Sequence, residues 1–404
     1  MSHGLDDRRL DALLEDQITQ IGGLIEQGKY RAAHATATEL LRVAHRVSDT
    51  WKARALHASG VAAYHVQDYV EAIGYLRSAV NLRQTQGPPV EFAESLRELG
   101  AAFRANGQLV EAEEHYGRAL VIFRETDPGD GKRIATLLNN LAVLYYYQSR
   151  IAESEQLMRE ALAIRIETLG PEATLVGESH SNLGEVLLSQ GRLEDARQQL
   201  EAGLRIREAT LLSDHPDVAA SLSNLAVLHY ERGDYVRAEE MQRKVLEIDT
   251  VAYGPGTPEV ALDLQNLAET WARQRRLGES ESAHRQALAI RRQKLPAQHP
   301  DLAVSLANLA NILGDMGRLE EANEAYREAL GIDRGIAAGK PSLAVAADLN
   351  NIGDLMRQGG ELERALTLFL EALGTTEALG SEGRLHGSLL NNIADAYMRL
   401  GRPD

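Results

Sequence analysis

The sequence predicts an all-α protein of stacked helical hairpins, and three observations carry that prediction. Seven asparagines recur at near-constant spacing: Asn140, Asn182, Asn224, Asn266, Asn308, Asn351 and Asn392, in steps of 42, 42, 42, 42, 43 and 41 residues. Similar phrases surround them, among them Leu138-Asn-Asn-Leu-Ala142, Leu222-Ser-Asn-Leu-Ala226 and Leu306-Ala-Asn-Leu-Ala310. Within a copy, apolar residues fall three, four or seven apart, the spacing of a buried helical stripe, and glycine-centred breakers interrupt the stripes. Self-similarity at this period means a solenoid of supersecondary units, each in contact mainly with its neighbours.

From the N-terminus, Leu5-Asp-Asp-Arg-Arg9 opens an amphipathic helix rather than a signal peptide. A first hairpin runs from about Leu5 to Val47, with Gly28-Lys-Tyr30 as its turn. The next two copies are degenerate, because Leu56-His-Ala-Ser-Gly60 places Ala58, and Leu96-Arg-Glu-Leu-Gly100 places Glu98, where later copies have asparagine. Residues 1–130 are therefore read as degenerate repeats and 131–380 as regular ones. In the copy from His215 to Thr250, Ala219, Leu222, Leu225, Ala226 and His229 form the stripe of a first helix, which Gly233-Asp234 ends. A second stripe follows through Ala238, Met241, Val245 and Ile248, and Tyr253-Gly-Pro-Gly-Thr-Pro258 closes the unit. Residues 381–404 make a terminal half repeat, with a first helix over roughly Gly387 to Leu400. The chain stops at Gly401-Arg-Pro-Asp404, where other copies turn into a second helix, and the end face of a solenoid is apolar unless capped. The expectation is a single solenoid over 1–404, of nine hairpins and a tenth first helix, cut from a longer protein.

His215-Pro-Asp-Val-Ala-Ala-Ser-Leu222 and His299-Pro-Asp-Leu-Ala-Val-Ser-Leu306 at helix starts, with Ala161-Leu-Ala-Ile-Arg165 and Leu169-Gly-Pro171 at a unit's end, resemble tetratricopeptide repeats of the kinesin-light-chain-like type. Small residues recur where two helices must approach: Ala72, Ala112, Ser154, Ala196, Ala238, Ser280, Ala322 and Ala365, then Ala79, Ala119, Ala161, Gly203, Ala287, Ala329 and Ala372. The resemblance covers essentially the whole chain. It implies a right-handed superhelical solenoid whose first helices line a concave groove, and asparagines there that bind the backbone of an extended peptide. Bacterial arrays of this type accompany caspase-like proteases or nucleotide-binding switch domains, which gives the second functional expectation below.

Composition narrows the function further. Against 43 basic residues stand 59 acidic ones, a net charge of −16. Phosphate backbones and anionic membranes are bound by clustered Lys and Arg, and the sequence has no such cluster, so neither nucleic acid nor membrane is an expected partner. No apolar run approaches the ~20 residues of a membrane span, and cysteine is absent; a cytoplasmic location is the expectation. No HExxH, GxSxG or GxGxxG pattern occurs, so no enzyme, metal or cofactor is expected. Gly335-Ile-Ala-Ala-Gly-Lys-Pro341 has the wrong spacing for a phosphate loop and is read as a turn between hairpins.

The candidate site lies on a second stripe of the first helices, out of phase with the packing stripe. Around Asn140 it reads Thr136, Asn140, Val143, Tyr147; downstream it includes Glu178, Asn182, Glu185, then Asn224, Glu231, then Asn266, Glu269, Arg273, then Asn308, Asn311, Asp315, then Asn351, Asp354. A carboxamide offers two donors and an acceptor and can answer any peptide unit; the alternative is that it ties adjacent repeats together. Tyr147 and Tyr230 suit an apolar anchor, while Phe103, Tyr145, Trp271 and Tyr397 fall on the packing stripe. The peptide-binding candidates are thus Asn140, Asn182, Asn224, Asn266, Asn308, Asn351, Tyr147, Tyr230, Glu185, Glu231 and Glu269. Carboxylates outnumber arginines seven to two on this stripe from Glu178 to Arg399, so a segment carrying Lys or Arg is the expected partner. The acidic, tryptophan-containing peptides that kinesin light chains take would be repelled. The leading expectation is a non-enzymatic scaffold for a peptide or protein segment; the alternative is a sensor or regulatory region of a longer protein. The oligomeric state is left open.

Overall fold

Each copy supplies two apolar stripes and, between them, a residue that reverses the chain, which is what a helical hairpin requires. The computed structural model describes residues 3–27, 29–44 and 48–402. Among them are nineteen α-helices and no strand. Backbone contacts divide the chain into two compact units, residues 1–210 and 211–404.

The first unit holds five hairpins. They are α1 (His3–Glu26) with α2 (Tyr30–Ala44), α3 (Asp49–His65) with α4 (Tyr69–Gln86), and α5 (Pro89–Ala105) with α6 (Leu109–Thr126). Next come α7 (Gly131–Tyr147) with α8 (Ile151–Leu169) and α9 (Thr174–Ser189) with α10 (Leu193–Thr210). The second unit holds α11 (Pro216–Glu231) with α12 (Tyr235–Tyr253), and α13 (Pro258–Arg273) with α14 (Leu277–Lys294). It continues with α15 (Pro300–Asp315) and α16 (Leu319–Ala337), α17 (Leu343–Gln358) and α18 (Leu362–Ala378), and then α19 (Arg384–Arg399).

The turn inside the hairpins repeats. One residue takes a left-handed φ of 61° to 85° at Gln67, Gly107, Ser149, Gly191, Gly233, Arg275, Gly317 and Gly360. Glycine fills most of these positions because it lacks the Cβ that penalises this region. Where the next residue is aspartate it caps the second helix: Asp68 accepts from the Glu71 N–H and Asp234 from the Arg237 N–H. Between hairpins, His215 and His299 cap α11 and α15, each Nδ1 accepting from the N–H two residues on at 3.1 and 3.2 Å. Pro216 and Pro300 follow at the first helical position, where no N–H is needed.

The recurring small residues sit where expected. Ala72, Ala112, Ser154, Ala196, Ala238, Ser280, Ala322 and Ala365 are all completely buried. Glycine takes over on the first helix where a large side chain crosses from the second: a Cβ on Gly353 would lie 2.6 Å from the Phe369 ring. In the first unit, one apolar cluster joins α1, α2 and α3 through Leu14, Ile21, Leu40 and alanines, and a larger one extends from α3 to α8 around Leu96, Tyr116, Phe123 and Leu138. In the second unit a continuous cluster runs from Leu288 to Ala396.

Several readings change. Gly335, Ile336 and Ala337 belong to α16, and the chain reverses only at Ala338 and Gly339, with φ of 49° and 82°; the helix continues because nothing before Ala338 forces a left-handed backbone. Of the four aromatics on the packing stripe only Phe103 is fully buried. Tyr145 and Tyr397 lie half-buried against the core. Trp271 stays at its edge because its indole N–H needs a partner, donating to Glu239 Oε1 at 2.9 Å, with the Arg243 and Arg276 guanidinium groups 5.8 and 5.5 Å from its ring. Gly28 of the expected first turn, Val47 at the end of the expected first hairpin, and Pro403 and Asp404 lie outside the described residues.

Candidate functional site

All seven ladder asparagines are half-buried. They sit on the first helix of each repeat, a quarter-turn off the leucines that pack the hairpin, so they belong neither to the core nor to free surface. Two of them bond to the preceding repeat: Asn182 Nδ2 donates to Asn139 Oδ1 at 2.9 Å, and Asn392 Nδ2 to Asn350 Oδ1 at 3.0 Å. The acceptor in each case is the first asparagine of an Asn-Asn pair. A carboxamide that spends one N–H in this way keeps another donor and its carbonyl oxygen. Asn140, Asn224, Asn266 and Asn308 make no side-chain hydrogen bond within the described residues.

Three open cavities form along these stripes, each between the first helices of successive repeats with one side chain of a second helix at its floor. In the first unit, Val143, Tyr146 and Tyr147 of α7 face Asn182, Glu185 and Val186 of α9 across Met158, enclosing ≈ 70 Å³. In the second unit, a cavity of ≈ 240 Å³ gathers Tyr230, Glu269, Arg273, Asn308 and Asn311 above His284. A neighbouring one of ≈ 310 Å³ gathers Asn311, Asp315, Asn351, Asp354 and Gln358 above Tyr326. Of the residues proposed from sequence, Tyr147, Asn182, Glu185, Tyr230, Glu269, Asn308 and Asn351 line these cavities. Asn140, Asn224, Asn266 and Glu231 do not line them.

The electrostatics of the stripe are sorted by arginine. Glu178 faces the buried Arg165 guanidinium at 3.4 Å, and Asp354 and Asp395 are bridged by Arg357. Arg97 is taken up by Glu94 and Glu98. Glu185, Glu231, Glu269 and Asp315 form no ion pair within the described residues. The enclosing wall raises the Glu185 carboxyl above its ordinary value. Tyr147 stands 63 % exposed with its ring edge-on to Tyr146 at 6.1 Å. Tyr230 is held by a T-shaped contact to Tyr235 at 5.5 Å and accepts from Arg273 Nε at 2.8 Å. His284 is 2 % exposed, and burial with the nearby Arg291 pushes its imidazole down to about 4, so it is neutral at physiological pH.

The sequence reading missed the floor residues Met158, His284 and Tyr326. Their signal was present: each lies sixteen residues after the alanine of the recurring Leu-Ala phrase on the first helix, Ala142, Ala268 and Ala310. Contact across a hairpin, rather than periodicity along one helix, brings them to the site.

The described family tetratricopeptide repeat matches residues 91–167, 133–209, 175–250, 217–293 and 259–335, and a second tetratricopeptide repeat family matches residues 23–91. No match is found among curated protein sequences. Among solved structures, the chain is similar to the apo form of the quorum sensor NprR from B. thuringiensis, with TM-score 0.65 and 14% identity over 79% of this chain and 87% of that one. A Rap protein complexed with Competence and Sporulation Factor matches with TM-score 0.55 and 12% identity, over 97% and 99% of the two chains. BtubC (BKLC) from P. vanneervenii matches with TM-score 0.50 and 23% identity, over 59% and 94%.

Proposed function

Because the chain belongs to the tetratricopeptide-repeat family, we propose that it is a non-catalytic interaction scaffold that takes an extended peptide segment on its first-helix faces. The observation that carries this reading is the repeated cavity, in which ladder asparagines, a tyrosine and an unpaired carboxylate converge from successive first helices. The carboxamides answer the backbone of the segment, the Tyr147 ring in the first unit and the Tyr230 ring in the second each pack an apolar side chain, and Glu185 in the first unit or Glu269 and Asp315 in the second receive Lys or Arg. Each unit carries its own set of these groups, so each is a site by itself.

Selection from a randomised peptide library on the folded chain tests it. Selected peptides are expected to be enriched in Lys and Arg. Their binding should fall at least tenfold on Tyr147→Ala with Glu185→Gln, or on Asn308→Ala with Glu269→Gln, while circular dichroism stays unchanged. Enrichment in acidic residues, or binding indifferent to both variants, would overturn the proposal.

A further inference from the structure

The junctions between hairpins repeat a buried polar link. Arg83 Nη1 donates to Ser95 Oγ at 2.6 Å, Arg165 Nη1 to Ser179 Oγ at 2.8 Å, and Arg291 Nη1 to Ser305 Oγ. The positions follow the repeat: Arg165, Arg207, Asp249, Arg291 and Asp333 are 42 apart, and Ser179, Ser221, Asp263, Ser305 and Asp348 are 42 or 43 apart. Twice, therefore, the link is replaced on both sides by aspartate. Asp249 of α12 meets Asp263 of α13, and Asp333 of α16 meets Asp348 of α17, each within hydrogen-bonding reach. Asp263 is 7 % and Asp348 4 % exposed. Asp249 Oδ1, Asp263 Oδ2 and Asp348 Oδ2 are buried with no donor among the described residues.

Two carboxylates cannot bond each other; a carboxyl and a carboxylate can, through one proton. We propose that these two acid pairs make the packing of the 211–404 unit proton-dependent, each junction closing while its pair shares a proton and loosening once both carboxyls ionise.

The surroundings supply no substitute for that proton. Around Asp263, α12 presents Asp249. Glu259 of α13 adds like charge, and the Arg291 guanidinium of α14, which reaches α13 at Gln265, is bound to Gln265 and Ser305. Around Asp348, α16 presents Asp333 and the Tyr326 phenol; Asp354 of its own helix is bound to Arg357, and the buried face of α18 is Ala365, Leu366, Phe369, Ala372 and Thr376. Burial and the facing carboxyl push Asp263 and Asp348 up to about 7.

The sign follows from linkage. An acid whose folded value lies above its unfolded one stabilises at low pH, and that contribution is lost as pH rises from the ordinary carboxylate range through the folded value. Buried neutral His57 and His284 act oppositely below about pH 6.5, so the test is a difference. Thermal midpoints of the full chain are compared with those of Asp263→Asn/Asp348→Asn, whose carboxamides donate without titrating. The variant's lead over the wild type should widen from pH 5 to about pH 7 and level off by pH 8. A lead that stays constant overturns the proposal. Should the variant not fold, native-state hydrogen exchange on the wild type decides. Protection of α13 and α17 should drop relative to α11 and α15 between pH 5 and pH 8, and an equal change in all four helices refutes it. Both readouts concern packing and hold whether or not the first-helix face binds peptide.

Discussion

At the scale of single residues, the most consequential choice is which polar groups the hairpins bury and which they leave facing outward. Arg165 is 2 % exposed, and its guanidinium serves the Leu175 carbonyl and Ser179 Oγ, each at 2.8 Å. Arg165→Ala should therefore destabilise the chain by about 2–4 kcal/mol through a cavity and orphaned acceptors. Arg205→Ala, removing a largely exposed arm 3.6 Å from Glu172, should cost under about 1 kcal/mol. Denaturant midpoints separate the two, and equal losses would contradict the assignment of buried and surface roles. The asparagine ladder was legible because it recurs. Its partners were not: in Asn139-Asn140 a step of one residue rotates the side chain by a large fraction of a turn, and the sequence gives no sign that Asn139 accepts from Asn182. The same limit hid the aspartate pairs, whose meaning appears only when residues from two helices are placed together.

At the scale of the helix and its hairpin, packing clearance sets what each position tolerates. Gly353 lies against the Phe369 ring, whereas Gly374 on the exposed face of α18 has open space around it. Gly353→Ala should cost about 1–3 kcal/mol by overpacking, while Gly374→Ala should gain about 0.5–1 kcal/mol from helix propensity. Opposite signs in thermal melts are the expected result; a gain at both positions would mean the hairpin is looser than the ring contact implies. Recurrence made the alanine positions legible as sites of close approach. The glycines were harder to interpret, because their partners Phe369, Tyr116 and Leu200 arrive from the other helix. The turn carries a related prediction. Arg275 holds a left-handed φ of 64° where most copies have glycine, so Arg275→Gly should stabilise by about 1 kcal/mol, and a measured loss would show that its side chain supplies something the backbone does not.

At the scale of the whole molecule, stability in a repeat array sums over nearest neighbours, so copies with thin cores should open first. The cluster joining α1 to α3 is made largely of alanine, while that around Tyr116 and Phe123 carries large side chains. Hydrogen exchange is expected to be faster over α1 and α2 than over α5 and α6, and the reverse order would contradict the account. Fold class and hairpin order were readable from a 42-residue period because repeats are dictated by local contacts. The character of the binding face was only partly so: seven stripe carboxylates were visible in sequence, but pairing by Arg165 and Arg357 removes Glu178, Asp354 and Asp395 from them. The central proposal is that in each unit by itself the remaining carboxylates, Glu185 in the first and Glu231, Glu269 and Asp315 in the second, make the first-helix face a receptor for cationic peptide. Charges of one sign that face the same segment within about 8 Å act together at physiological salt and favour the complementary partner. The most direct measurement titrates the folded chain with two matched peptides, one bearing lysines and the other glutamates at the same positions, at low and physiological salt. The account predicts tighter binding of the lysine peptide, with the advantage shrinking as salt rises; tighter binding of the glutamate peptide would contradict it.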